Sequence, residues 1–155
     1  MKKIFSVYII TGIILLQFGG CTKEEVIDPT EISDTPSITF ISLTPNPAIK
    51  YQDVIKITFD YIDGDGDLGE NTPDVKNLFI TDSRNGVVYE KRINQLGPDT
   101  ASVIAIKGSI IVDLSPQGFV DDNHTTETAT YSIYIKDRAG HQSNTIQTTT
   151  LTINK

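Results

Sequence analysis

From residue 37 onward, apolar and polar side chains alternate with a period of two, which is the spacing of a strand with one buried and one wet face. Ile38, Phe40 and Ser42 alternate with Thr39 and Ile41, and Pro45-Asn46-Pro47 ends the run because proline cannot donate to a ladder. The clearest alternation places Ile55, Ile57, Phe59 and Tyr61 on one face and Lys56, Thr58 and Asp60 on the other. A strand over 78–82 is predicted to meet one over 87–93 across Arg84-Asn85-Gly86, where Asn-Gly would supply the positive φ angles of a tight hairpin. Residues 101–114 read as one long strand, or two around Gly108. Tyr131, Ile133 and Ile135 form another inward row, and a turn at Asp137–Gly140 leads into a last strand over 145–153. No stretch of useful length has helical periodicity. The expectation is an all-β, antiparallel, immunoglobulin-like β-sandwich of about seven strands.

The first 20 residues break this pattern. Lys2 and Lys3 precede an apolar run from Ile4 to Phe18, and Gly19-Gly20-Cys21 follows. About 15 apolar residues fall short of the roughly 20 needed to span a bilayer and suit the core of a signal peptide. With the chain's single Cys directly after a small residue, the segment resembles a bacterial lipoprotein signal, although Phe18 stands where that signal usually has Leu. The resemblance implies cleavage before Cys21, acylation of Cys21 and attachment to the outer membrane through the lipid. More than one acyl chain is needed for stable anchoring, since each buried methylene contributes about 0.8 kcal/mol. Thr22-Lys23-Glu24-Glu25 resembles the short acidic export signal of Bacteroidetes surface lipoproteins, which implies a place on the cell surface. The expected organisation is therefore a signal peptide over 1–20, a lipidated Cys21 with an acidic, proline-containing tether over 21–36, and one sandwich domain over 37–155.

Composition narrows the function classes. The full chain of 155 residues carries 13 basic and 20 acidic side chains, a net charge of -7. Loss of Lys2 and Lys3 with the signal leaves 11 against 20. No basic patch offsets this excess, so nucleic acid is not an expected partner. One Cys rules out a disulfide framework and a Cys-based zinc finger.

The candidate chemistry sits in Ile62-Asp63-Gly64-Asp65-Gly66-Asp67-Leu68-Gly69-Glu70. Acids at alternate positions, separated by glycine, let a short backbone fold around a hard cation, and calcium accepts six to eight oxygens in loose geometry. The spacing resembles the opening of an EF-hand-type loop, as in dockerin-like and thrombospondin-like repeats. It departs from that loop at Leu68, where glycine belongs, and at Asp74, where the closing Glu belongs. A calcium loop between strands is the expectation, with Asp63, Asp65 and Asp67 as ligands and Glu70 as a weaker one. In an immunoglobulin-like sandwich the turn at Asp137 would lie at the same pole, so Asp137 is expected to complete the shell.

Asp137-Arg138-Ala139-Gly140-His141 resembles the Asp-x-Ala-Gly-Asn turn before the last strand of bacterial immunoglobulin-like domains, with His141 replacing Asn. Together with the acidic loop, it is similar to small Bacteroidetes surface lipoproteins, a resemblance that implies a fold and an address but no reaction. His124 and His141 are the only histidines, and neither lies in a nucleophile, zinc-protease or phosphate-loop motif. The expectation is a non-enzymatic, monomeric binding or adhesion module, its protein or glycan ligand held by loops near 62–75, 115–128 and 137–143. Two alternatives stand beside it: a structural accessory subunit of an outer-membrane complex, and a carboxylate-based hydrolase. Asp99-Thr100-Ala101 matches the pattern of Bacteroidetes O-glycosylation and makes Thr100 a candidate site.

Overall fold

The computed structural model describes residues 32–98 and 104–155; Cys21, the signal segment and Thr100 lie outside the described residues. Ten strands and no helix occur among them. These are β1 (Ser37–Thr44), β2 (Ala48–Ile49), β3 (Ile55–Asp63), β4 (Leu78–Asp82), β5 (Val88–Lys91), β6 (Ile106–Leu114), β7 (Thr126–Ala129), β8 (Tyr131–Ile135), β9 (Ile146–Gln147) and β10 (Leu151–Asn154). They form three sheets in the orders β1-β3-β6, β2-β10-β7 and β5-β4-β8-β9. All pairings are antiparallel except β2 against β10. The fold is all-β, with antiparallel sheets around one core, consistent with the sandwich that the alternation predicts.

The core is built by the inward rows. Ile55, Ile57 and Phe59 of β3, Ile80 of β4, Tyr131, Ile133 and Ile135 of β8, and Leu151 and Ile153 of β10 have no exposed surface. Burying a Leu, Ile or Phe side chain contributes about 1.5–3 kcal/mol, so these rows supply most of the drive to fold.

Four local expectations change. The last strand expected over 145–153 is split into β9 and β10, which belong to different sheets. Of the Asn85-Gly86 pair only Gly86 has positive φ, at 73°, because the turn closes through Gly86 N–H to Asp82 C=O at 2.9 Å instead of as a two-residue hairpin. Residues 126–128, expected within a loop, form β7 together with Ala129; Thr126 and Thr128 face solvent, Glu127 turns to Arg84, and pairing with β10 decides the conformation. The 115–125 connection opens at the pole opposite the acidic loop, because β6 runs antiparallel to β3 and Leu114 pairs with Ile55. It therefore cannot join residues 62–75 and 137–143 in one binding surface.

At that opposite pole the inward row of β4 ends in Asp82, whose side chain is fully buried. Arg84 meets it in a fork, Nη2 donating to Oδ2 at 2.7 Å and Nε to Oδ1 at 3.1 Å, and its backbone N–H also donates to Oδ1 at 2.9 Å. Arg84 Nη1 also donates to Glu127 Oε2 at 3.1 Å and to the Gly118 carbonyl at 2.9 Å. A buried acid is thus neutralised by a buried, forked cation, which is the arrangement that offsets desolvation of both charges.

Removing Arg84 strands the Asp82 charge. Arg84→Ala should cost about 3–5 kcal/mol in urea unfolding, whereas Lys56→Ala, which breaks an exposed pair with Asp113, should cost under about 1 kcal/mol.

Candidate metal centre

The strand alternation explains how an acid comes to be buried here. Ile55, Ile57, Phe59 and Tyr61 occupy the inward positions of β3, and the next inward position is Asp63, with 0% exposure. Beyond it the chain turns through Gly64-Asp65-Gly66-Asp67 and then buries Leu68 completely, which pins the loop to the core. Gly66 and Gly69 have φ of 73° and 87°, conformations that side-chain-bearing residues rarely adopt. A Cβ on Gly66 would also collide with the Ile104 carbonyl, so the loop is packed against the backbone that leads into β6.

Neighbouring segments hold the loop from three directions. Gly64 N–H donates to the Ser33 carbonyl at 2.9 Å, so the chain ahead of β1 already touches it. Leu96 N–H donates to the Leu68 carbonyl at 3.1 Å. From the turn after β8, Ala139 N–H donates to Asp67 Oδ2 at 2.9 Å and Arg138 Nη1 to the Gly69 carbonyl at 3.0 Å.

Asp63, Asp65 and Asp67 each offer one carboxylate oxygen to a group whose members all lie within 4.8 Å of one another. Asp63 Oδ2 accepts from Leu68 N–H at 2.9 Å, but its Oδ1 is buried with no hydrogen-bond partner. Asp67 Oδ1 is buried and unpartnered as well. Such orphans are expensive, because each acceptor has lost water and gained nothing. Burial is the largest cause that pushes the Asp63 carboxyl up, to about 7, with the negative charges of Asp65, Asp67 and Asp137 adding to it and the Leu68 N–H opposing. Burial, Asp137 and Asp65 raise Asp67 too.

Asp137 comes to the same pole, as expected from the sequence, but it is not a member of the close group. Its buried side chain is already engaged by His141, whose backbone N–H donates to Oδ1 at 2.7 Å and whose Nδ1 lies 3.0 Å from Oδ2. Asp137 in turn raises the His141 pKa. Glu70 is outside the group also, since its Oε1 accepts from both the Thr72 N–H and hydroxyl at 2.9 Å. His124 is exposed and 3.3 Å from Asp121. The tyrosines do not gather in one groove: Tyr131 is in the core, Tyr134 stacks on Phe79 with ring centroids 4.8 Å apart, and Tyr51 is exposed at the far pole.

Two contributors escape a reading of spacing alone. Leu68, which looks like a fault in a calcium loop, is the hydrophobic plug that seats it, and Ser33 lies in the stretch expected to be tether. The signal for the first was present, since a lone Leu among nine mostly acidic and Gly residues has no solvent-side reason to be there.

No family model, no curated protein and no solved structure matches the chain.

With chelator present, the raised Asp63 carboxyl makes stability depend on pH in a definite direction. The native state holds that proton to higher pH than the unfolded chain, whose carboxyl titrates near 3.8. Its contribution is complete below that value and is lost as pH rises to about 7. Unfolding midpoints in chelator should therefore fall between about pH 4 and pH 7, and Asp63→Asn should remove most of that slope.

Proposed function

We propose that the chain is a non-catalytic binding or adhesion module, an immunoglobulin-like domain held by lipidated Cys21 at the outer membrane or cell surface, with a calcium ion organising its acidic pole. The observation that carries the calcium reading is the orphaned, buried Oδ1 of Asp63 beside Asp65 and Asp67. A buried acid normally comes with a cation, as Asp82 does with Arg84 at the other pole. At Asp63 three acids converge and, among the described residues, no side-chain cation neutralises the orphaned oxygen, whereas a hard divalent ion would satisfy it and cancel their repulsion. Asp63, Asp65 and Asp67 would hold the ion, with carbonyl or water oxygens in the remaining positions. Asp137 adds negative charge nearby and would join the shell only by releasing His141.

The role of such an ion is structural. It would tie the end of β3, the segment around Ser33 and the turn after β8 into one rigid surface, and a rigid scaffold under loops is what recognition needs. Asp63 has no solvent-accessible surface, so it is badly placed to protonate a substrate, which weighs against the hydrolase alternative. Dispersed aromatics favour a protein ligand over a glycan. The accessory-subunit alternative would gain from a contiguous apolar sheet face, but exposed Ile62 and Ile111 lie among Lys56, Asp60, Lys107 and Asp113.

Thermal unfolding of the chain from Thr22 onward tests the ion. Calcium at a hundredfold excess over its dissociation constant should raise the midpoint by about 10 °C relative to chelator. Equal midpoints in calcium and chelator, with Asp65→Ala no different from wild type, would rule the site out. The anchor is tested separately by metabolic labelling with a radioactive fatty acid: wild type should incorporate label and Cys21→Ser should not. Intact mass of the exported protein reports on Thr100 in the same preparation, and an unmodified mass there removes the glycosylation site.

A further inference from the structure

Each sheet has to deal with its edges, because an unpaired strand offers free N–H and C=O groups to any other strand. Here most edges are short or blocked. β2, β5, β7 and β9 have two to four residues each. β1 is long, but its pairing slips between Phe40 and Ser42, and Asn144 brackets it by accepting from Ile38 N–H at 2.8 Å and donating to the Ile38 carbonyl at 2.9 Å. β6 differs from all of these. Its nine residues pair with β3 without a register shift, it contains no proline, and among the described residues no loop backbone hydrogen-bonds to its other side. It also carries Ile111, exposed at 65%.

The sequence of β6, Ile-Lys-Gly-Ser-Ile-Ile-Val-Asp-Leu, is complementary to its own reverse. In an antiparallel pair of two copies centred on Ile110, Lys107 of each lies opposite Asp113 of the other. Ile106 meets Leu114, Gly108 meets Val112, and Ile110 meets Ile110. Every inward pair is then apolar or glycine, and both charged pairs are attractive on the outward face. Asp113 already binds Lys56 within the chain at 2.9 Å, so the pairing would extend a Lys56–Asp113–Lys107 row across the junction. The two Ile111 side chains become diagonal neighbours, a separation that long side chains bridge, and so cover each other. A shift of one residue would turn apolar side chains outward, and a shift of two would misalign both charged pairs.

We infer that β6 is a self-recognition edge, through which two copies of this chain join their β1-β3-β6 sheets into one continuous six-stranded sheet. The sequence taken alone suggests a monomer, and the open, self-complementary edge is what changes that expectation. The occupant is a second copy, because the charge order of the edge matches itself in reverse.

Sedimentation equilibrium of the full chain in density-matched detergent tests this. Wild type should show a reversible monomer–dimer equilibrium. Lys107→Glu and Asp113→Lys each turn two attractive cross-strand pairs into two repulsive ones, and should each weaken self-association by about tenfold or more. An equimolar mixture of the two variants should regain wild-type association, since opposite charges then face each other at both positions. That rescue also requires both variants to be folded. A wild type that stays monomeric overturns the inference, as does a dimer that neither reversal weakens, or a loss that mixing does not restore.

Discussion

The constraint on which the rest of this structure depends is that three inward rows of apolar side chains run on into a carboxylate. The pleat that buries Ile55, Ile57, Phe59 and Tyr61 also buries Asp63. The row Leu78, Ile80 ends in Asp82, and Tyr131, Ile133 and Ile135 lead to Asp137. A strand cannot turn one residue outward without a bulge, so each acid must be compensated where the pleat leaves it. The three solutions differ. Asp82 receives a forked arginine, Asp137 receives both the backbone and the ring of His141, and Asp63 receives one N–H on one oxygen. The asymmetry between the poles follows: one is closed by internal ion pairing, and the other retains unbalanced negative charge in a buried place.

The acidic loop is unusual in being seated rather than displayed. Leu68 drives it into the core while Gly66 and Gly69 allow the backbone to come close to its neighbours. The turn after β8 then clamps it with Ala139 N–H and the Arg138 guanidinium. Arg138 binds a carbonyl, not a carboxylate, and so holds the shape of the loop without pairing with its acids. Rigidity and charge are thereby separated: hydrogen bonds define where the three carboxylates point, and their repulsion is left for something else to relieve.

How much of this was legible depended on whether the signal was local. β3, β4 and β8 were plain in the alternation because their pairing and burial act on the same residues. β2 and β7 were not, since Ala48-Ile49 and Thr126–Ala129 have no pattern of their own and exist through pairing with β10, more than twenty residues away or at the far end of the chain. The three loop acids could be chosen from spacing, but the burial of Asp63 required extending the β3 pleat by one more inward step. The Asp82–Arg84–Glu127 network was invisible for a related reason. Its members are polar residues near turns, and only the fold brings Glu127 onto Arg84. The sequence places the 115–128 loop at the acidic pole because nothing local shows which way β6 runs against β3, and the antiparallel pairing that decides this is a property of the fold.

The acidic loop and the open edge are physically contiguous. Asp63 pairs with Ile106 at the last rung of the β3–β6 ladder, and Gly66 packs against the carbonyl of Ile104, two residues before β6 begins. Any ordering of the loop therefore reaches the start of β6 through backbone contact, without a relay of side chains. The reverse holds as well, because a strand added along β6 would stiffen the rung on which Asp63 sits. A cation at the loop and a strand at the edge would act on one element from two sides, so each would reduce the conformational freedom that the other has to remove.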